Sequence, residues 1–386
     1  MITATLRSLA IGAMSVIFGI YLSLIGLDEL QIGFLITAGL AGMAAGNLGF
    51  SFFAERIGRR QTLMLIASMM AIAIVPLIFS RDFLLIAIAA FIGMINGMGR
   101  DRGAAQAIDQ AVLAQSVLPQ KRTFYFSMYT FLTDVGTGCG ALLAAIPQTQ
   151  GDYSWSFVGY GFLLLVTVFL YPGMSTRVES ASSVRSQRLS PQSKKLVTGF
   201  ALLSMMDSVG GGLITRALLT YWFVHRFHVD SSWVAVLFGA SSFVNSVSYF
   251  VAAWLAKHIG LVRTMVFTHI PSSILLMLVP WAPDFVTAVF LFIVREFFAP
   301  MDVPTRQSYL AAIVKEHERA ATAGIINLTR NASWAVGPSL AGWAMSISFS
   351  APLYWSGVLK IIYDLSLWAA FQHIRPPEEQ QKAQKE

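Results

Sequence analysis

Twelve stretches of this sequence, each close to the length an α-helix needs to cross a hydrocarbon layer, follow one another with mostly short polar breaks. A crossing takes about 20 predominantly apolar residues. Lipid offers no water to backbone N–H and C=O groups, so stretches of this kind satisfy themselves as helices, and the chain reads as an all-α membrane protein. The spans are placed near 5 to 26, 31 to 54, 61 to 80, 83 to 115, 123 to 146, 153 to 173, 196 to 224, 232 to 256, 264 to 281, 285 to 313, 320 to 347 and 352 to 373. Only 12% of the residues are charged, about half the share of a soluble domain. That excludes disorder, and the one cysteine, Cys139, excludes a disulfide scaffold or a thiolate metal cluster. The first apolar run is span-length and lacks a small-residue cleavage site, so it reads as a span rather than a signal peptide.

The net charge of +7 would suggest nucleic acid in a soluble protein; here it reports topology. Counting lysine and arginine in alternate loops gives 17 on one side and two, Arg81 and Arg226, on the other. By the positive-inside rule both termini are cytoplasmic, as is the polar stretch 174 to 195. That stretch is rich in serine and arginine and divides the spans six and six, so the expected organisation is a bundle over 1 to 173, a linker over 174 to 195, a second bundle over 196 to 373 and a tail over 374 to 386.

Sliding one half over the other by 201 or 202 residues aligns Ala54, Ile57, Gly58 and Thr62 with Ala256, Ile259, Gly260 and Thr264, and Phe91, Asp101 and Gln106 with Phe292, Asp302 and Gln307. Such a parallel repeat of six helices places a substrate site between the halves near the bilayer midplane. The loop after the second span reads Glu55, Arg56, Gly58, Arg59, Arg60. Gly58 permits a tight turn between two helices, and the arginines suit an inside-positive anchor.

On this loop and the repeat, the chain resembles the major facilitator superfamily over essentially its whole length. The loop is similar to that family's motif between helices 2 and 3, with Ser51 where glycine is usual and Glu55 where aspartate is usual. The resemblance implies twelve spans in two six-helix bundles, transport by alternating access, and a cytoplasmic gate formed by Glu55, Arg56, Gly58, Arg59 and Arg60. Gly136, Gly138 and Gly140 in span 5 resemble a glycine motif of the family's exporters, although the proline that goes with it occurs only in span 11, as Pro338.

Ionisable residues inside spans are costly and mark function by default. Spacings of seven and four put Arg295, Asp302 and Arg306 on one stripe of span 10 and let Asp302 pair with Arg306. Asp101 is the repeat equivalent of Asp302, and Arg102, Gln106 and Asp109 share a face of span 4. Asp134 and Asp207 have fewer cations nearby in sequence and compete as proton carriers. Asp101, Arg102, Asp134, Asp207, Asp302 and Arg306 are therefore the candidates for binding substrate or proton, against the plainer reading of structural ion pairs. Lys360 and Asp364, one turn apart, suit a self-neutralising pair, and Arg330 could meet Asp134. Gly210, Gly211 and Gly212 weaken span 7 by about 1 kcal/mol each relative to alanine, which fits either a gate or close packing. His225 and His228 at the end of span 7 lack a third ligand.

No nucleotide loop, nucleophile triad or metal constellation stands in the sequence. The expectation is a secondary transporter and no enzyme, with no cofactor and no metal, moving a small solute by proton-coupled efflux in a bacterial-type inner membrane, with lipid and protons as partners and no nucleic acid. Proton-coupled uptake and a non-transporting sensor or scaffold on the same fold remain open.

Overall fold

A computed structural model describes residues 1–95, 97–117, 122–146, 153–174, 189–315 and 318–374. The described residues are helical: α1 (Ile2–Leu24), α2 (Glu29–Arg56), α3 (Arg59–Ile72), α4 (Ile74–Phe79), α5 (Phe83–Ile92), α6 (Ala104–Ser116), α7 (Arg122–Leu143), α8 (Ser154–Leu170), α9 (Pro191–Gly212), α10 (Arg216–Phe227), α11 (Ser231–Ile259), α12 (Leu261–Leu278), α13 (Phe285–Phe298), α14 (Asp302–Ile313), α15 (Arg319–Ile347) and α16 (Ala351–Phe371). Seven helical stretches among them are by length and apolarity alone able to cross a bilayer.

Four expected spans are each built from two helices. Span 3 divides at Ala73, between α3 and α4. Span 4 stops at Ile92, and helix resumes only at Ala104; Met94 and Gly99 between them have φ of 50° and 78°, which an α-helix excludes. Span 7 ends α9 at Gly212 and restarts at Arg216, where Thr215 caps α10 by accepting from Leu218 N–H. Span 10 passes through a 3-10 turn at Ala299–Met301 containing Pro300. The shared face expected for Arg102, Gln106 and Asp109 therefore does not form, because Arg102 lies outside α6. The three-residue stripe on span 10 is broken in the same way.

The repeat survives at atomic detail. Gly58 and Gly260 enter α3 and α12 with φ of 97° and 91°, a conformation that favours glycine. One turn on, the hydroxyls of Thr62 and Thr264 donate to the Gly58 and Gly260 carbonyls, each at 2.8 Å.

By internal contacts the chain divides into two units. One comprises Met1–Ser183, Gly212–Phe243 and Ala335–Phe349; the other comprises Val184–Gly211, Val244–Trp334 and Ser350–Glu386. The division thus departs from the sequence boundary at spans 7, 8 and 11, each of which contributes to both units.

In the first unit α1 lies closely on α7, with glycine making the approach possible. A Cβ on Gly12 would stand 2.2 Å from the Thr137 carbonyl oxygen, and one on Gly140 would stand 2.0 Å from that of Leu9. This is the small-residue packing of membrane helices, where lipid supplies no hydrophobic drive between them. Ala217 N–H donates to Gly97 O at 3.0 Å, Tyr221 donates to Glu29 at 2.9 Å, and the Ser339 hydroxyl meets Thr37 at 2.7 Å.

The second unit has an apolar cluster that includes Phe200, Met265, Tyr309, Ile326, Tyr363 and Phe371. At its edge Glu318 accepts from Ser190 N–H at 2.6 Å and from the Ser193 hydroxyl, tying the loop before α15 to the start of α9. The Ser193 and Ser190 bonds hold the Glu318 carboxyl down at about 2.

Candidate functional site

Each unit buries its own charge cluster. In the first, Arg7 of α1 is 1% exposed. Its guanidinium bonds Asp101 at 2.5 Å, Asp109 of α6 at 2.6 Å and the Tyr171 hydroxyl at 2.7 Å. A planar fork with several donors suits three acceptors at once. Asp101 also accepts from Gly103 N–H at 3.2 Å, steadying the start of α6. Asp109 further lines a cavity of about 430 Å³ with otherwise mainly apolar walls, among them Ile2, Val112, Leu113 and Leu170.

The second cluster is larger and draws on α9, α12, α14, α15 and α16. Asp207 of α9 stands at its centre, receiving Lys360 of α16 at 2.8 Å and Arg330 of α15 at 2.9 Å, with Arg306 of α14 at 4.0 Å. Arg306 bonds Asp302 one helical turn away. His269 of α12 joins the other end: its Nδ1 is 3.0 Å from both oxygens of Asp364, while its Nε2 is 3.5 Å from Lys360 Nζ and 3.8 Å from Asp207 Oδ1. All seven side chains are buried, Asp364 completely.

Counting formal charges, Asp207, Asp302 and Asp364 balance Arg306, Arg330 and Lys360, so the cluster is neutral when His269 is neutral. Burying six charges is tolerable because five of them meet an opposite charge and Asp364 lies within hydrogen-bond distance of His269. Arg330 also stacks over Trp334 at 4.9 Å, a cation–π contact. Trp334 in turn abuts Gly211, whose Cβ would stand 2.8 Å from the indole nitrogen. The Ser356 hydroxyl donates to Gly210 O at 2.7 Å. Two of the three glycines of span 7 thus serve close contacts within this unit.

A third polar group lies on α11 and α13. Glu296 accepts from Asn245 at 3.1 Å and pairs with Arg295. Asn245 Oδ1 and Arg295 Nε are buried and have no hydrogen-bond partner among the described residues.

Of the residues singled out from sequence, Asp207, Asp302 and Arg306 come together. Asp101 belongs to the other cluster, held by Arg7. Arg102 is half-buried, and its carbonyl accepts from Asn47 at 3.3 Å. Asp134 is half-buried on α7 and makes no hydrogen bond or ion pair among the described residues. In the gate loop, Arg56 is exposed, Gly58, Arg59 and Arg60 are half-buried, and Arg60 donates to Pro172 O at 3.3 Å; the Glu55 side chain lies outside the described part.

Three sequence expectations are corrected. Lys360 and Asp364 do not pair with each other, because Asp207 and His269 from other helices offer better-placed partners. Arg330 meets Asp207 instead of Asp134. Arg295 pairs with its neighbour Glu296, since the 3-10 turn takes it out of register with Asp302 and Arg306. Arg7 and His269 were missed. A lone arginine within the first apolar span and a lone histidine within the ninth were the available signals, given the cost of polar groups there.

Comparison with known proteins agrees with this architecture. The Major Facilitator Superfamily profile matches residues 1–215 and 196–386. An uncharacterised membrane protein of Saccharomyces cerevisiae is 24% identical over 95% of this chain and 92% of its own. The arabinose-proton symporter of Bacillus subtilis is 26% identical over 39% of this chain and 33% of its own. Among solved structures, a D-xylose-proton symporter superposes with a TM-score of 0.73 at 16% identity, covering 95% of this chain and 96% of that one. A nucleoside transporter gives 0.73 at 12% identity, covering 96% and 97%. With its multi-pass helical fold and a family profile that spans it from end to end, the chain belongs to the Major Facilitator Superfamily, whose members are membrane transporters and not enzymes.

Proposed function

We propose that this protein is a proton-coupled symporter that takes up a small, neutral, polar solute, with both termini and the linker on the cytoplasmic side. The observation that carries the reading is the seven-residue cluster around Asp207. Its charges cancel when His269 is neutral, so it presents no net charge to a solute, and one added proton is its smallest change of state. The names of the similar proteins, two pentose-proton symporters and a nucleoside transporter, favour uptake of a hydroxylated solute. Asn245 Oδ1 and Arg295 Nε are an acceptor and a donor without described partners, each of a kind that a solute hydroxyl satisfies.

The expectation of efflux rested on the glycines of span 5. Gly136 and Gly140 are needed for α7 to lie on α1, where added Cβ atoms would meet the Thr5 and Leu9 carbonyls at 2.6 Å and 2.0 Å, so these glycines no longer favour export. The yeast relative likewise removes the preference for a bacterial inner membrane. The arginines of the 56 to 60 loop keep their proposed role as a cytoplasmic latch.

The test is proteoliposomes holding a trapped pH dye, given D-xylose, L-arabinose or uridine from outside, with charged analogues as controls. Symport predicts interior acidification with a neutral solute. Alkalinisation would mean antiport, and silence together with no solute binding would mean a non-transporting scaffold; either result contradicts the proposal.

A further inference from the structure

We infer that His269, clasped between Asp364 and Asp207 on the α12 and α16 side of the cluster, is the residue that takes up and releases the transported proton. The inference rests on the proton-coupled reading above and names its site. The two imidazole nitrogens have unlike surroundings. Nδ1 faces only the Asp364 carboxylate, at 3.0 Å from each oxygen, so it carries a hydrogen in either charge state. Nε2 faces a donor and an acceptor, Lys360 Nζ at 3.5 Å and Asp207 Oδ1 at 3.8 Å.

That second pair makes the histidine a two-state element. With a bare Nε2, the lone pair receives a Lys360 N–H, and Lys360 bridges His269 and Asp207. With a proton on Nε2, the ring donates to Asp207 and turns a positive face to Lys360, whose ammonium must then leave one of its contacts. No oxidant or other co-reactant is involved: one proton binds to one lone pair, and the cluster goes from neutral to +1.

Every neighbouring element supplies groups to this balance. Asp364, Lys360 and Tyr363, whose ring lies edge-on to the imidazole at 6.1 Å, come from α16. Asp207 comes from α9, Asp302 and Arg306 from α14, and Arg330 from α15, while Arg295 and Glu296 of α13 pair with each other. Because Asp207 and Arg330 belong to α9 and α15, loss of the Lys360 contact passes the protonation state to spans 7 and 11. Histidine suits this task, since a neutral ring donates through one nitrogen and accepts through the other, and a charged ring donates through both.

Two measurements test the assignment in the full chain. In lipid nanodiscs with ¹⁵N-labelled histidine, the resonance absent from His269→Gln should change from neutral to charged as protons are supplied; a signal that stays neutral throughout overturns the inference. In dye-loaded proteoliposomes given D-xylose or uridine, His269→Gln should lose the solute-linked acidification. Full acidification in that variant overturns the inference and leaves the symport reading intact, whereas a wild type without acidification refutes that reading too. Should His269→Gln fail to fold, Asp364→Asn serves in its place: it removes the charge facing Nδ1 and should weaken the solute-linked acidification, and unchanged acidification counts against the proposal.

Discussion

Replacing Asp207 by asparagine should be among the most damaging single changes in this protein, and the reason can be separated from simple loss of a contact. Asp207 accepts from Lys360 at 2.8 Å and Arg330 at 2.9 Å, with Arg306 at 4.0 Å. Asparagine keeps the shape and removes the charge, leaving three cations against two anions in a buried site. Breaking a buried pair from one side costs about 3–5 kcal/mol, because the remaining charge stays desolvated and unpaired. Lys360→Met should cost a similar amount by itself. The double variant, however, leaves Asp302 and Asp364 against Arg306 and Arg330, which balance, so its loss should fall short of the sum of the singles by about 0.5–3 kcal/mol. The assay is detergent-induced unfolding in mixed micelles, followed by tryptophan fluorescence, for the four members of the cycle. Strictly additive losses would refute the reasoning that net charge governs this cluster.

Other consequences follow from separate parts of the fold. Gly140→Ala should destabilise by about 1–3 kcal/mol through overpacking, while Gly159→Ala on α8, where nothing lies within 4 Å of the new Cβ, should stabilise by up to about 1 kcal/mol; the same unfolding assay would show the opposite signs. Arg7→Met should cost about 3–5 kcal/mol because Asp101 and Asp109 are left facing each other, and Arg7→Lys should recover only part of it for want of the guanidinium fork, as thermal melts in detergent would show. Glu318 titrates at about 2 in the folded protein against an ordinary 4.5. Its contribution is therefore full above about 4.5 and is lost as pH falls from there towards 2, so Glu318→Gln should flatten that part of a plot of melting temperature against pH.

The spans were legible because hydropathy over about 20 residues is a property of local sequence, and the Gly58 and Gly260 turns were legible because the repeat presents the same small residues twice. The breaks were harder. Gly93, Gly97, Gly99 and Gly103 stand in one stretch of span 4, yet glycine is common in membrane helices and does not announce a left-handed φ. The pairing of charges was least legible of all. Asp302 with Arg306 lies within one helix and follows from spacing, whereas Asp207 with Lys360 spans 153 residues. Such partners are chosen by which helices pack together, and no local period encodes that. His269 escaped notice for the same reason: its role depends wholly on Asp207, Lys360 and Asp364, each supplied by another helix.

Coupling of solute movement to protons is the centre of this account, and uphill accumulation tests it most directly. Proteoliposomes with an imposed inward proton gradient should concentrate labelled D-xylose or uridine above the outside level, and a protonophore should collapse that gain. Uptake that only equilibrates, and does so equally with and without the protonophore, would contradict it.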